Sequence, residues 1–590
     1  MNQLQHKYDM QQSKVTEKIS KFQKFIDNDS DTGMCLEDTL KFFEIRRIFG
    51  QFESIKQKGK KVSLILTTLV VMIFYRRKNI HSYFSKQIGK QIGSDGSKNP
   101  YYDLLGNENI NWRIILYLFA KRYLKLSKQI SVCKDKTRAL IFDDSPLRKT
   151  GKRIEGASKM HDHVTGNFIF GYKILVCGYW DGNNFIPIDF SLHRERGKGL
   201  DTIRKRRNSA RRKAGQAEAV YQEHKEKHLG KRKILNSLKK GMISNPTKDM
   251  KLKYNEQRKQ VSRSRKKQSK LLKKMKLTRS VFEEKEQLFR EKEKKAPLYG
   301  LTPNKRRKQF KKYRDKNSPG YERKAELDIK KTQNVIKMLS RAVRKGFEFE
   351  YVLFDSWFFS KEILAHIELF RKKKIKLIAM IKMGKILYRD CLTDNEMNAP
   401  ELRKKYRKKK KKSRKYNINY IKVPVLYDNR RLNLFFVKMG SGSQWRAIIT
   451  NDLNIDFNKL LETYQIRWSI EVFFKDMKQH LQLGKCQCNN FDSQIGATTV
   501  SMMQYIMLLL YKKIHSGNSL GGLFDLLSSQ TEEENISNYL RGIFVEIING
   551  IGTILKIDCI ELIEEIIHDS QRAEEIMKFI SPTFKQKLIV

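Results

Sequence analysis

The chain is poor in cysteine, in acid and in long apolar runs. Its seven cysteines, Cys35, Cys133, Cys177, Cys391, Cys486, Cys488 and Cys559, are scattered and odd in number, which argues against a disulfide framework and points to a reducing compartment. Cys486 and Cys488 form a C-x-C without a second pair at zinc-finger spacing, so they read as incidental thiols. The longest apolar run, Val62 to Tyr75, is interrupted by Ser63, Thr67 and Thr68. It is too short for a membrane span of about 20 residues. The first residues, Met1 to Lys14, are polar and lack the apolar core of a signal peptide. A soluble, cytoplasmic protein is expected.

The shortage of acid is the most informative of these. Asp and Glu total 63 against 122 Lys and Arg, a net charge of +59. Such a field draws polyanions strongly enough to dominate encounter rates. Nucleic acid is therefore the expected partner. The 590 residues, 39% of them hydrophobic, suffice for two to four domains, more than a short basic ribosomal component needs.

Residues 1–130 read as helical, with long stretches free of proline and apolar residues at three-and-four spacing in Phe42, Phe43, Ile45, Ile48 and Phe49 and again from Ile114 to Leu126. A loop is expected at Gly93 to Pro100. From about 137 the pattern turns to strands. Ala139-Leu140-Ile141-Phe142 ends in Asp143-Asp144-Ser145-Pro146, where proline is expected to close the strand. Phe168 to Trp180 and Phe185 to His193 flank Asp181-Gly182-Asn183-Asn184, a hairpin signal. Residues 194–320 are dense in Lys and Arg and poor in large apolar residues, as expected of an insertion of long polar helices that grips a phosphate backbone. A second strand, Phe349 to Phe354, again ends in an acid, Asp355, and further strands are expected at 377–381, 420–426, 432–438 and 446–450. Residues 490–590 read as helical.

Between these last segments, Tyr464, Arg467, Glu471 and Lys478 recur at helical spacing and fall within an arc of roughly 60° on one continuous helix. Ile466, Ile470, Phe473, Phe474, Met477 and Leu481 form an adjacent apolar stripe. The helix then packs by one face and presents a carboxylate between cations on another. With the two strand-end acids, Glu471 makes three carboxylates that a fold can bring together. Oxygen ligands with open positions suit two divalent ions about 3.5–4 Å apart, which serve in-line phosphoryl displacement. Asp143 and Asp144 point to opposite faces of a strand, so only one can serve. His161 and His163, flanking Asp162, read as polar loop residues.

Tyr464-x-x-Arg467-x-x-x-Glu471-x-x-x-x-x-x-Lys478 resembles the YREK signature of bacterial insertion-sequence DDE transposases of the cut-and-paste class, at all four positions. Asp143-Asp144-Ser145 resembles that family's first acidic strand end and favours Asp143 as ligand, with Asp144 the alternative; Phe354-Asp355-Ser356-Trp357 resembles the second. The long stretch between Asp143 and Asp355 departs from compact members. The resemblance implies an α+β or α/β architecture: a ribonuclease-H-like catalytic domain over 137–485 with a β-rich insertion at 383–450 before the Glu helix; the basic helical insertion expected from composition at 194–320 falls within that span. Helical regions at 1–130, for DNA binding, and at 490–590, for dimerisation, would flank it. It further implies that Asp143, Asp355 and Glu471 bind two Mg²⁺ or Mn²⁺ ions. Arg467 and Lys478 would hold phosphates, with Tyr464 beside them and Lys475 adding a contact. Trp445 is the candidate for stacking a flipped base. The implied partners are double-stranded DNA, as terminal inverted repeats and target, and a second copy in a synaptic homodimer associated with the nucleoid. A non-joining nuclease and a basic nucleic-acid-binding protein are the alternatives.

Overall fold

Two apolar runs, Ala139 to Phe142 and Tyr351 to Phe354, are buried to the last residue and pair side by side at the centre of a mixed sheet. In this computed structural model the described residues are 36–532, apart from 57, 77–78, 86–96, 131–135, 164, 196–199, 245, 296–297, 439–443 and 515–518. They divide into two units, one drawn from 1–156, 172–193 and 310–590, the other from 157–171 and 194–309.

The strands are β1 (Ala139–Arg148), β2 (Ser158–His161), β3 (Phe168–Trp180), β4 (Phe185–His193), β5 (Tyr351–Phe354) and β6 (Lys376–Ile381), followed by β7 (Leu387–Asp390), β8 (Glu396–Asn398), β9 (Lys411–Ser413), β10 (Ile418–Tyr427), β11 (Arg430–Lys438) and β12 (Trp445–Thr450). In the first unit the order runs β4-β3-β1-β5-β6-β12-β11-β10-β7-β8, with β9 on β10. β1, β5 and β6 are mutually parallel; β3 and β4 are antiparallel, and so is every pair from β6 outward. This mixed sheet with helices is consistent with a ribonuclease-H-like domain. The strands between 383 and 450 join β6 through β12 and follow outward from it, so they widen this sheet.

β4 is buried at every residue because helices cover it. Helices Trp112–Ile130, Lys331–Arg344 and Phe491–Ile514 all pack against it. Asp189, on β4, takes bonds from Arg113 Nε (3.0 Å), Arg341 Nε (2.8 Å) and the Tyr117 hydroxyl (2.9 Å). Arg113 reaches on to Glu326 at 2.6 Å. The β3–β4 hairpin has its turn fixed by Asp181, whose carboxylate accepts from the Asn183 and Asn184 amides at 2.8 Å each. A bulge at Cys177/Gly178 admits the ring of Phe185. A Cβ at Gly178 would lie 1.9 Å from that ring. Gly178→Ala is therefore expected to lower stability by about 1–3 kcal/mol through overpacking, readable as a lower urea midpoint; an unchanged midpoint would show that the ring has room to move.

Three expectations are corrected. β1 does not end at Pro146 but continues to Arg148. Its pairing with β5 stops at Phe142↔Phe354, so that ladder loses no bond to the missing proline N–H. The expected helix through Tyr464 and Lys478 is two, Phe457–Gln465 and Trp468–Gln479. Arg467 N bonds Tyr464 O, and Ile470 N bonds Arg467 O, at 3.1 and 3.2 Å. These i→i+3 bonds tighten the junction while Ile466 and Arg467 keep helical dihedrals. Of the expected loop at Gly93 to Pro100, 93–96 lie outside the described residues, and Asn99 and Pro100 open helix Asn99–Leu105, where proline costs no intrahelical bond. The run from Val62 becomes a helix, Val62–Val71, packed on Phe491–Ile514. Among the described residues no helix is long and apolar enough to cross a membrane. Residues 1–35 and 533–590, parts of the expected terminal helical regions, lie outside the described set.

In the second unit β2 pairs with Phe168 to Gly171, and His161 and His163 lie ring to ring at 4.9 Å. The rest is dominated by helices Asp201–Ser244 and Lys248–Lys295. His228 meets Ser264 at 3.1 Å, and Gln257 bonds the Lys231 carbonyl at 3.0 Å, so the helices run antiparallel. Sheltered positions alternate by four and three along both, from Ile203 to Met242 and from Met250 to Phe289. That is the seven-residue period of a two-stranded coiled coil. Its seam is unusually polar, holding His224, His228, Ser264 and Gln268 besides alanines and leucines.

Candidate active site

The parallel register of β1 and β5 aligns Phe142 with Phe354, and those rings stack at 5.3 Å. Asp143, on β1, and Asp355, the first residue past β5, directly follow that pair, so they leave equivalent positions on neighbours about 4.8 Å apart and share a face. A slip of one residue would send one carboxylate to the other face; the stacked pair, contributing about 0.5–1.5 kcal/mol, opposes that slip. Each carboxylate accepts from the amide that follows it, Asp144 N at 2.7 Å and Ser356 N at 2.5 Å.

Arg467 joins the helix to this pair. Its guanidinium donates to Asp143 at 3.2 Å and to Glu471. Burial pushes the Asp143 carboxyl up to about 7, with the charges of Asp144 and Asp355 adding to the rise and the Asp144 amide and Arg467 opposing it. Arg467 alone leaves the negative charge here undercompensated, so the place favours a further cation. All the candidate donors are carboxylate oxygens, the set suited to Mg²⁺ or Mn²⁺. Among the described residues no three His, Cys, Asp or Glu side chains stand close enough together to hold a metal. Glu471 is one guanidinium removed from Asp143, and a shared ion requires it to exchange Arg467 for that ion.

Asp144 points away and pairs with Lys331. Tyr464 is buried, its hydroxyl 3.4 Å from the Phe354 carbonyl, and burial raises that hydroxyl to about 12. It braces the end of β5 immediately before Asp355. Lys478 donates to Ser145 Oγ at 2.8 Å, on β1 two residues past Asp143. Lys475 is exposed, beside Asp476. Trp445 opens β12, half-buried, with the Arg403 guanidinium 5.6 Å from its ring.

Two further aromatic residues flank the acids, present in the sequence motifs but given no role there. Trp357 is 64% exposed two residues past Asp355, with Lys382 Nζ 3.1 Å from its ring centroid. Trp468 is 61% exposed beside Arg467. The signal was present for Trp468, which falls off the apolar stripe of its helix. Cys486 and Cys488 are both free thiols.

Residues 327–507 match the family model of the transposase DDE domain. The match covers less than a third of the chain but includes Asp355, Trp445, Tyr464, Arg467, Glu471 and Lys478, and it supports a DDE transposase. Asp143 lies outside it and stands on its place beside Asp355 and its ion pair with Arg467. The comparison with curated proteins gives no match.

Proposed function

We propose that this protein is a DNA transposase of the cut-and-paste class, which hydrolyses phosphodiesters at the ends of an insertion element and joins the freed 3′-hydroxyl to target DNA. The observation that carries this reading is that Asp143 and Asp355 each directly follow the paired residues Phe142 and Phe354, with Asp143 tied through Arg467 to Glu471. Asp143, Asp355 and Glu471 would hold two divalent ions, Mg²⁺ or Mn²⁺, whose contribution is Lewis-acid polarisation of the scissile phosphate and activation of the attacking oxygen.

The chain's own groups do the rest. Arg467 holds Glu471 toward Asp143 and, once a phosphate arrives, exchanges a carboxylate for a phosphate oxygen. Lys478, fixed on Ser145, presents an ammonium beside the same strand end. Tyr464 keeps β5 in place under Asp355. Lys475 adds a backbone contact, and Trp445 beside Arg403 is a surface on which a displaced base can stack. Terminal inverted repeats and target DNA would be bound as duplexes by a synaptic homodimer.

A plain nuclease built on the same site would cut without joining. Incubating the protein with an end-bearing duplex and a target plasmid in Mg²⁺ separates the two. Strand-transfer products alongside cleavage are expected. Cleavage with no joined product, under conditions where the 3′-hydroxyl is intact, would favour the nuclease.

A further inference from the structure

The antiparallel hairpin of helices Asp201–Ser244 and Lys248–Lys295 carries far more charge than its own folding can use. Residues 201–295 contain 33 Lys and Arg against 11 Asp and Glu, and between 227 and 282 the ratio is 20 to 2. Eleven acids cannot neutralise 33 bases. Exposed i,i+4 pairs such as Lys227–Glu223 and Lys253–Asp249 are screened by solvent and offset little of the imbalance. The excess therefore opposes folding through self-repulsion, and the seam that must resist it holds the polar residues His224, His228, Gln257, Ser264 and Gln268. A polyanion lying along the hairpin would remove that repulsion.

The cations are also ordered. Arg204-Lys205-Arg206, Arg211-Arg212-Lys213, Arg232-Lys233 and Lys239-Lys240 recur in the seven-residue frame of the seam. In a coiled coil, equivalent heptad positions form rows parallel to the axis, with rungs about 10.5 Å apart. The shorter helix, of 44 residues, makes the hairpin a cation-lined rod about 66 Å long. Its composition narrows the partner. Lysines outnumber arginines 22 to 11, favouring point-charge contact with phosphates over forked readout of base edges. The four aromatic residues, Tyr221, Tyr254, Phe282 and Phe289, all lie on the sheltered seam, leaving no stacking platform for unpaired bases among them.

We infer that this hairpin is a duplex-DNA arm that follows the phosphate backbone over about 20 base pairs, at 3.4 Å per pair, without regard to sequence. The inference rests on the proposed function only in taking DNA as the substrate; the binding it describes needs neither metal nor cleavage.

The test uses the full-length protein in EDTA, with end-labelled duplexes of unrelated sequence, about 10, 20 and 40 base pairs long, between about 50 and 200 mM KCl. Wild-type affinity is expected to rise with length up to about 20 base pairs and to fall steeply with salt. In the variant Arg232→Gln, Lys233→Gln, Lys239→Gln, Lys240→Gln, each lost phosphate contact should reduce the log–log salt slope by about 0.9, hence by up to about 4 in all. A charge-preserving variant, Arg232→Lys, Lys233→Arg, Lys239→Arg, Lys240→Arg, should keep the wild-type slope, with circular dichroism reporting helix content for both. An unchanged slope in the neutralised variant, or an equal fall in both, overturns the inference. So does binding of single strands or anionic lipid vesicles as tight as that of duplex. Failure of Mg²⁺-dependent cleavage would count against the proposed function and leave this result untouched.

Discussion

Asp355→Asn and Glu471→Gln are each expected to abolish Mg²⁺-dependent DNA cleavage while leaving DNA binding in EDTA nearly unchanged. Both substitutions keep size, replace one acceptor oxygen by an NH2 donor and remove one negative charge. A divalent ion at such a site supplies several kcal/mol of transition-state stabilisation, so the cleavage rate should fall on the order of 10³-fold or more. Binding to a backbone made by more than a hundred cations elsewhere should hardly notice one carboxylate. Asp144→Asn is the informative contrast. Its side chain pairs with Lys331, away from Arg467, so cleavage should stay within a few fold of wild type. If either Asp355→Asn or Glu471→Gln still cuts at the wild-type rate, the carboxylate assignment is wrong. Should Asp144→Asn prove as inactive as they are, the β1 ligand has been placed on the wrong face.

The second large effect concerns stability. Asp189 is 1% exposed and faces Arg113, Arg341 and Arg323 at 3.0, 2.8 and 3.8 Å. Asp189→Asn leaves those buried guanidiniums with Glu326 as their main counter-charge, and breaking a buried ionic network from one side costs about 3–5 kcal/mol. Urea unfolding followed by circular dichroism measures this. The exposed arm of the same network provides the control: Glu322 is 63% exposed where it meets Arg113, so Glu322→Gln should change stability by less than about 1 kcal/mol. A loss below that figure for Asp189→Asn would mean the cluster is not the clamp it resembles.

The same group fixes a pH dependence. Burial alone would raise the Asp189 carboxyl, but Arg113, Arg341 and Arg323 outweigh it and hold the carboxyl well below the usual carboxylate range. A folded-state value below the unfolded one, about 3.9, means the contribution is complete above that pH. It is lost as pH falls from there toward the folded-state value. Wild type should therefore lose stability more steeply below about pH 4 than Asp189→Asn does.

Much of the site was legible in the chain itself because its signals are local. Apolar runs ending in Asp143 and Asp355 announced two strands, the Asp-Gly turn announced the β3–β4 hairpin, and helical spacing grouped Arg467 with Glu471. The charge imbalance points to a polyanion without reference to the fold. The coiled-coil seam was also written in the sequence, but its alanines, histidines and glutamines hide a heptad that leucines would have displayed.

Other features depend on pairings between residues hundreds of positions apart, and those had to come from the fold. Spacing could not say that β1 would run through Pro146, since that turns on where β5 stops. Nor could it distinguish Asp143 from Asp144, because a strand's alternation is known in advance but its phase is set by its neighbours. The junction at Ile466 and Arg467 changes hydrogen bonding without leaving helical dihedrals, so periodicity is blind to it. By itself the sequence determined which side chains are available and in what local order. Tertiary structure alone decided that Phe142 aligns with Phe354, setting two carboxylates side by side, and that Arg467 stands between one of them and Glu471. Register and burial arise from long-range packing, which no local window contains.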